Sequence, residues 1–415
     1  MAKRLGRSKR AEILEVQDFD VSTFFSVIFL TIAGFFAIYS ATYAAQGDRF
    51  SLQLLFGAIG LAIMLAAALI PVRWFSIAAY PIYVLSLGLL LYVLVAGVEV
   101  SGQRNWIVLG GALRFQPSEF AKLATILAVA KYLSSDRKLT KLSHFAITSL
   151  IVLIPTELIR REDPGSATVF IAILGVILLW AGTDLFYLTA LVAPVVVAAL
   201  SIFGTTPLVI SVLAFGAVLF LVFRRSLLPT TIVFFVIVAA GFSAETIYNN
   251  LPEYQRSRVD VLLDPQKDPL NTGYNMIQTK MAIGSGGVLG KGYLQGTQTR
   301  LKFVPKQWTD FIISVPAEEF GLIGALLVLS LFAFLVYRSL AIASSVRSTF
   351  ASVVAIGITG IWFFHILVNI GMTLGLFPVV GIPLPFMSYG GSALVTNMLM
   401  AGILMNLYRN RRVTF

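Results

Sequence analysis

The chain contains no cysteine, which excludes disulfide staples and thiolate metal sites and leaves the redox compartment unmarked. Its two histidines, His144 and His365, lie far apart in sequence. Neither is read as a metal ligand: His365 is expected to hydrogen-bond inside the protein and His144 to sit near an interface. Charge is scarce as well, at 12% of residues against about 25% in soluble domains. No Walker-type phosphate loop, internal repeat or low-complexity tract is present.

Apolar sequence fills the space. Hydrophobic residues make up 58% of the 415 residues, mean hydropathy is +0.87, and runs of 18 or more recur, long enough to cross a hydrocarbon core about 30 Å thick. Only helices and closed barrels satisfy the backbone in lipid, and the short alternating strands of a barrel are absent. The reading is all-α: a polytopic transmembrane helical bundle forming a single integral membrane domain over 1–415. About twelve spans are predicted, near 22–45, 52–70, 75–98, 118–134, 143–159, 166–182, 184–203, 205–223, 227–247, 312–336, 352–377 and 387–408.

The net charge of +11 would suggest nucleic acid in a soluble protein. Here no nucleic-acid partner is inferred, because the basic residues recur in short connectors, as topology signals do. The basic tail Lys3, Arg4, Arg7, Lys9 and Arg10 precedes a full-length span from about Ser22, which reads as a retained first helix rather than a cleaved signal peptide. With the N-terminus cytoplasmic, so are Arg73, Arg137, Lys138, Lys141, Arg224, Arg225, Arg338, Arg347 and a C-terminal tail with Arg409, Arg411 and Arg412. Three outward segments break the expected depletion of positive charge: 99–117, 159–165 and a long polar loop, 248–311.

These segments hold the candidate chemistry. In the first, Arg104, Trp106 and Arg114 precede Gln116-Pro117-Ser118-Glu119, where proline and an N-capping serine open the next span. Glu119 and Lys122 share a helix face. They are read as a structural ion pair, with Lys122 also placed to meet an anionic head group. In the second, Arg160-Arg161-Glu162-Asp163-Pro164-Gly165 reads either as a solvated turn or as a pyrophosphate clamp beside a cation-binding Asp163. The third carries Lys280 and Lys302, the run Gly284-Ser285-Gly286-Gly287, and finally Thr309-Asp310-Phe311, with Glu318 and Glu319 two turns on. Asp310 is read as an N-cap or as a base meeting a lipid-linked substrate at the interface.

Five strings occur in one order: Arg114-Phe115-Gln116-Pro117-Ser118-Glu119, Gly284-Ser285-Gly286-Gly287, Gly296-Thr297-Gln298, Thr309-Asp310-Phe311 and Pro383-Leu384-Pro385-Phe386-Met387-Ser388-Tyr389-Gly390-Gly391-Ser392. Together they resemble the SEDS family of bacterial shape and division proteins, over residues 20 to 410. The stretch from Asp268-Pro269 to Gly273-Tyr274 resembles its elongation-type members.

The resemblance implies a peptidoglycan glycosyltransferase of the bacterial cytoplasmic membrane, polymerising lipid II at its outer face during elongation. It also implies a divalent cation (Mg2+ or Mn2+), a class B penicillin-binding protein that cross-links the product, and other membrane proteins of the elongation complex. The family's essential loop aspartate falls on Asp310, a second aspartate on Asp163 and a lysine on Lys122. Arg104, Trp106, Arg114, Lys122, Arg160, Arg161 and Lys280 are then substrate-binding candidates. Asp310 is the catalytic base or, with Asp163, a metal ligand. A lipid II transporter and a non-catalytic scaffold are the rival readings. Three departures stand out: Lys306-Gln307-Trp308 replaces Glu-x-His, Arg161-Glu162-Asp163-Pro164-Gly165 replaces Gln-Pro-Asp-Leu-Gly, and 183–249 reads as a two-span insertion into a family that commonly has ten spans.

Overall fold

The computed structural model describes residues 19–43, 48–100, 103–110, 113–135, 141–223, 226–268, 272–301 and 303–412. The basic N-terminal tail, Arg137, Lys138, Arg224, Arg225, 269–271 and Lys302 lie outside the described residues.

Each predicted span contains a helix. They are α1 (Val21–Thr42), α2 (Arg49–Leu69), α3 (Val72–Ala96), α4 (Pro117–Leu133), α5 (Leu142–Ile159) and α6 (Pro164–Trp180), followed by α7 (Leu185–Ser201), α8 (Thr205–Ala217, extended by a π-turn, Val218–Val222) and α9 (Leu227–Asn249). After the long loop come α14 (Gly321–Ser345), α15 (Thr349–Leu374) and α16 (Gly391–Arg409). Nine are long and apolar enough to cross a membrane among the described residues, and α4, α6 and α7 have 17 residues each. The protein is a multi-pass membrane helical bundle.

Two boundaries differ from the sequence expectation. The span expected from 312 begins at Gly321, because Glu318 and Glu319 are buried in hydrogen bonds to the loop instead of entering a continuous helix. Residues 98–115, within the outward segment for which no regular structure is predicted, form an antiparallel meander, β1 (Val98–Val100), β2 (Gln103–Gly110) and β3 (Leu113–Phe115), with Val98 opposite Trp106 and Val108 opposite Arg114. The loop of 250–313 is itself largely helical, with α10 (Glu253–Leu263), α11 (Thr272–Gly286), α12 (Thr297–Arg300) and, leading into α14, the short α13 (Ser314–Glu319).

The centre of the bundle is α4, α15 and α16, buried along most of their length. Around it α2 packs on α16, α3 on α4 and α14 on α15. The helices α7, α8 and α9 of 183–249 pack on one another around their own apolar cluster of Phe186, Ala193, Val197, Leu219 and Ile237, joined to the main core through Leu188.

Polar atoms inside are matched locally. Pro155 in α5 has no N–H for the carbonyl four residues back, and the Tyr83 hydroxyl donates to that oxygen, Ile151 O, at 2.7 Å. Buried Asp20 caps α1 and accepts from Arg338 of α14 at 3.0 and 3.1 Å. Without a strong hydrophobic drive between helices in lipid, small residues at contacts carry close packing. A Cβ at Gly402 would lie 2.2 Å from the Met64 carbonyl of α2, whereas one at Gly88 meets nothing within 4 Å. Gly402→Ala is therefore expected to lower the detergent-solubilised melting temperature, by about 1–3 kcal/mol of overpacking, and Gly88→Ala to leave it unchanged or raised.

Candidate active site

Asp310 lies in a turn before α13, whose N-cap is Ile313, so the N-cap reading of Asp310 is corrected. Its backbone is held from three sides. The Asn369 amide donates to Asp310 O at 2.9 Å and to Ile382 O at 2.8 Å. The Ser388 hydroxyl donates to Thr309 O at 2.6 Å, and Tyr389 N donates to Trp308 O at 2.8 Å. The Pro383–Ser392 string is thus the cradle of the Thr-Asp-Phe turn. Buried Gln53 of α2 fixes that cradle, donating to Ser388 O and accepting from Gly390 N.

The same strand of chain links Asp310 to Asp163. A Cβ at Gly381 would lie 3.8 Å from Asp310 Oδ2; one at Gly165 would lie 2.6 Å from Val380 O and 3.5 Å from Asp163 Oδ1. Residues 380–382 therefore run between the two carboxylates. Asp163 is the N-cap of α6, with Pro164 and Gly165 opening that helix, which corrects the solvated-turn reading. Its oxygens accept from Ser166 N (2.9 Å), Ser166 Oγ (2.7 Å), Gln116 Nε2 (3.1 Å) and Asn105 Nδ2 (3.2 Å). It ties the meander, the start of α4 and α6 into one corner. In the Gln-Pro-Ser-Glu motif the helix starts at Pro117 with Gln116 as N-cap, so Ser118 lies inside the first turn and does not cap it.

The other sequence candidates divide between the surface and the interior. Arg104, Arg114, Arg160 and Arg161 are exposed and Trp106 half-buried. Arg160 pairs with Glu157 at 2.9 Å in solvent, an interaction of little strength. Lys280 is exposed beside Gly375, the C-terminal cap of α15, where a Cβ would lie 2.5 Å from its Nζ. The Glu119–Lys122 ion pair is present at 2.8 Å with both side chains enclosed. The Lys122 ammonium is shared with His365 Nε2 at 3.2 Å, and His365 Nδ1 meets Pro383 O at 2.9 Å. The pair thus braces the cradle from beneath, and its geometry fits the structural role.

Several further residues carry the site beyond the substrate-binding and metal candidates. Lys306, Thr309 and Arg258 lie around the Asp310 carboxylate. Burial pushes that carboxyl above the usual range, and those three groups oppose the shift without cancelling it. Arg49 places its guanidinium 4.4 Å from the Trp308 ring centroid. Glu318, fully buried, accepts from Lys291 Nζ (2.8 Å), Gln298 N (2.8 Å), Thr299 N (3.0 Å) and Thr299 Oγ1 (2.8 Å). Glu319 accepts from Leu294 N (3.1 Å) and from the Ser40 hydroxyl. The only sequence signal for these anchors was two carboxylates at the edge of an apolar span.

Burial pushes the Glu318 carboxyl up, but Lys291 and the Gln298 and Thr299 donors outweigh it and hold it below the usual range. A carboxylate lowered in the folded state contributes stability that is present above its unfolded value, about 4.3, and lost as pH falls through the folded value. Hydrogen exchange at the amides of Gln298 and Thr299 is therefore expected to be slow at pH 7 and to lose protection on acidification below about pH 4. Glu318→Ala is expected to lose at least about tenfold protection, about 1.4 kcal/mol, and to show no acid step.

Comparison with known proteins agrees with this geometry. The family model FTSW_RODA_SPOVE, described as cell cycle protein, matches residues 21–215 and 203–413. The peptidoglycan glycosyltransferase MrdB of Escherichia coli (strain K12) is 38% identical over 86% of this chain and 84% of its own. The peptidoglycan glycosyltransferase RodA of Treponema pallidum (strain Nichols) is 34% identical over 94% of this chain and 98% of its own. Among solved structures, a chain from a study of the structural coordination of polymerization and crosslinking by a peptidoglycan synthase complex superposes with a TM-score of 0.72 at 28% identity, covering 95% of this chain and 99% of that one. Thermus thermophilus rod shape determining protein RodA superposes with a TM-score of 0.64 at 25% identity, covering 95% and 98%. A family model matched along nearly the whole chain, converging on a cradled aspartate, settles the kinship: this chain belongs to the cell cycle protein family FTSW_RODA_SPOVE.

Proposed function

We propose that this protein is a peptidoglycan glycosyltransferase that polymerises lipid II, with Asp310 as the residue that meets the acceptor. The observation that carries this is the treatment of Asp310: its backbone is fixed by Asn369, Ser388 and Lys306, yet its carboxylate caps no helix and joins no ion pair among the described residues. The acceptor hydroxyl loses a proton as it attacks the anomeric carbon, and a positioned carboxylate with a raised pKa is a better base than an ordinary one. Negative charge develops on the departing polyprenyl pyrophosphate. The exposed guanidiniums of Arg104, Arg114, Arg160 and Arg161 suit that charge, with Trp106 and Lys280 at its margins. Lys122, enclosed, supports the cradle instead.

A divalent cation fits Asp310 better than Asp163. Mg2+ is commonly bound through one or two carboxylates plus substrate phosphates, without an all-protein cage. No cluster of three or more His, Asp or Glu with cation-binding geometry exists among the described residues. The Asp163 oxygens already accept four hydrogen bonds, whereas Asp310 can hold a cation together with the pyrophosphate. Such an ion would neutralise the leaving group.

The orientation follows from charge. The 22 residues of α1 span about 33 Å. Gln307 of the site turn bonds to Ala41 O at one end, and at the other Arg338 and Arg411 gather around Asp20 and Tyr408. By the positive-inside rule, the arginine end faces the cytoplasm of a bacterial inner membrane, together with both termini, and Asp310 faces outward. The likeness to a chain from a polymerization and crosslinking complex supports a class B penicillin-binding protein transpeptidase as partner, within a larger elongation complex. The three helices of 183–249, with their separate apolar cluster, fit a two-span insertion.

The test is polymerisation of purified lipid II by wild type and Asp310→Asn, with the cognate penicillin-binding protein present, with and without chelator. Long glycan strands are expected from wild type alone, reduced at least about 100-fold in the variant and abolished by chelator. Equal strands from both would remove Asp310 from the mechanism. Movement of labelled lipid between leaflets without chain growth would indicate a transporter, and neither activity with partner binding retained a scaffold.

The pH profile is a second check. An acid limb is expected in kcat/KM above the ordinary aspartate value of about 3.9, since activity needs the ionised carboxylate and burial raises its pKa. A limb at or below that value would assign Asp310 to the cation and not to the proton, since a bound cation lowers a carboxylate's pKa.

A further inference from the structure

Arg49 is the first residue of α2, at the edge of the site. Its guanidinium lies over the Trp308 ring, 4.4 Å from the centroid, and Trp308 is two residues from Asp310. Trp308 O accepts from Tyr389 N at 2.8 Å, so the indole that supports Arg49 is fixed by the cradle that fixes Asp310. Arg114 of β3 is tied to the same cradle, its carbonyl accepting from Ser392 Oγ at 3.3 Å, and the positive charges of Arg49 and Arg114 both reach the Tyr389 hydroxyl. Neither arginine has a carboxylate at ion-pair distance among the described residues, although each remains partly accessible.

A guanidinium held over an indole, within two residues of the site aspartate and with no carboxylate at ion-pair distance among the described residues, favours an anion as its partner over a structural brace. A guanidinium over an aromatic face still presents N–H donors. Its planar fork matches two phosphate oxygens at once, whereas a lysine ammonium acts as a point charge only. The indole restricts the fork and lowers the entropy lost on binding. A bare buttress of Trp308 would not need a charge.

We infer that Arg49, held over the Trp308 ring beside the Asp310 turn, is a pyrophosphate-binding arm of the site, which takes the diphosphate of the lipid-linked donor. The inference rests on the glycosyltransferase reading for the identity of the donor, but not for the binding of the diphosphate itself.

The experiment titrates inorganic pyrophosphate, with inorganic phosphate as comparison, into the full chain in detergent without divalent cation. Trp308 emission is isolated as the difference between wild type and Trp308→Phe. Saturable change with pyrophosphate is expected in wild type, weakened about tenfold or more in Arg49→Gln and less in Arg49→Lys. Phosphate is expected to bind more weakly than pyrophosphate. In polymerisation assays Arg49→Gln is expected to lower kcat/KM for lipid II about tenfold, because the diphosphate gains charge as it departs. Pyrophosphate affinity equal in wild type, Arg49→Gln and Arg49→Lys would overturn the assignment. So would a polymerisation loss with pyrophosphate affinity unchanged, which marks a buttress of the Asp310 turn. If Asp310→Asn polymerises normally while Arg49→Gln loses pyrophosphate, the glycosyltransferase role of Asp310 fails and this site stands.

Discussion

The hydrogen bonds that hold the backbone at Thr309 and Asp310 are the constraint on which the site depends. A loop segment carries no helical ladder of its own, so its geometry has to be imposed from outside. Here Asn369 of α15 bonds at once to Asp310 and to Ile382, while Ser388 and Tyr389 bond to Thr309 and Trp308. Gln53 from α2 and Ser392 at the start of α16 secure the cradle in turn, Ser392 by bonding to Gln116 N and Arg114 O. Four helices and the meander thereby converge on one turn. The aspartate is placed by the rigid part of the bundle, although it belongs to its most polar segment.

Buried carboxylates do the remaining fastening through their side-chain oxygens. Asp20 joins α1 to α14, Asp163 joins the meander to α4 and α6, Glu119 pairs with Lys122 above His365, and Glu318 and Glu319 fix 291–299 to α13 and α1. An ionised group in an apolar bundle is costly unless paired and hydrogen-bonded, and each of these five binds a donor from another part of the chain or from its own helix. Asp310 does not follow the pattern. Its main chain is held by Asn369 and Lys306, while its carboxyl fastens no second element among the described residues and lies among accessible cations. That difference in what the side chain holds separates a candidate working carboxylate from the structural ones.

How much of this was legible in sequence follows from the range of each interaction. Spans are local and periodic, and all twelve helices lie where apolar runs placed them. The Glu119–Lys122 pair spans three residues on one helix and was equally readable. The start of α14 was misplaced because Glu318 and Glu319 look like tolerable intrusions into an apolar run until their partners, up to 279 residues away, are known. The meander at 98–115 was unreadable for a different reason: its outer strands are three residues long, and the eight-residue β2 runs from polar Gln103-Arg104-Asn105 into apolar Trp106-Ile107-Val108-Leu109 without period-two alternation. Asp163 was read as a cation ligand, and its N-cap role was obscured by a Pro-Gly pair that reads as a turn and proved to be the first turn of α6.

The departures Lys306-Gln307-Trp308 show why local difference from a family pattern need not mean lost function. Lys306 adopts a left-handed φ of 54°, a conformation that costs a non-glycine residue about 1–3 kcal/mol. Its carbonyl accepts from Thr309 N and Asp310 N, closing the turn. Gln307 is buried and its amide bonds to Ala41 O and Thr299 O, each at 3.0 Å, which fastens the turn to α1 and to the segment fixed by Glu318. Trp308 is uncharged and holds Arg49 of another helix over its ring, 4.4 Å from the centroid. Positive charge near the Asp310 carboxyl comes from Lys306 and Arg258, and the turn that carries the carboxyl is fastened along its backbone. The electrostatics around Asp310 depend on where positive charge is held in space, and the chain reaches that arrangement by a different route through sequence.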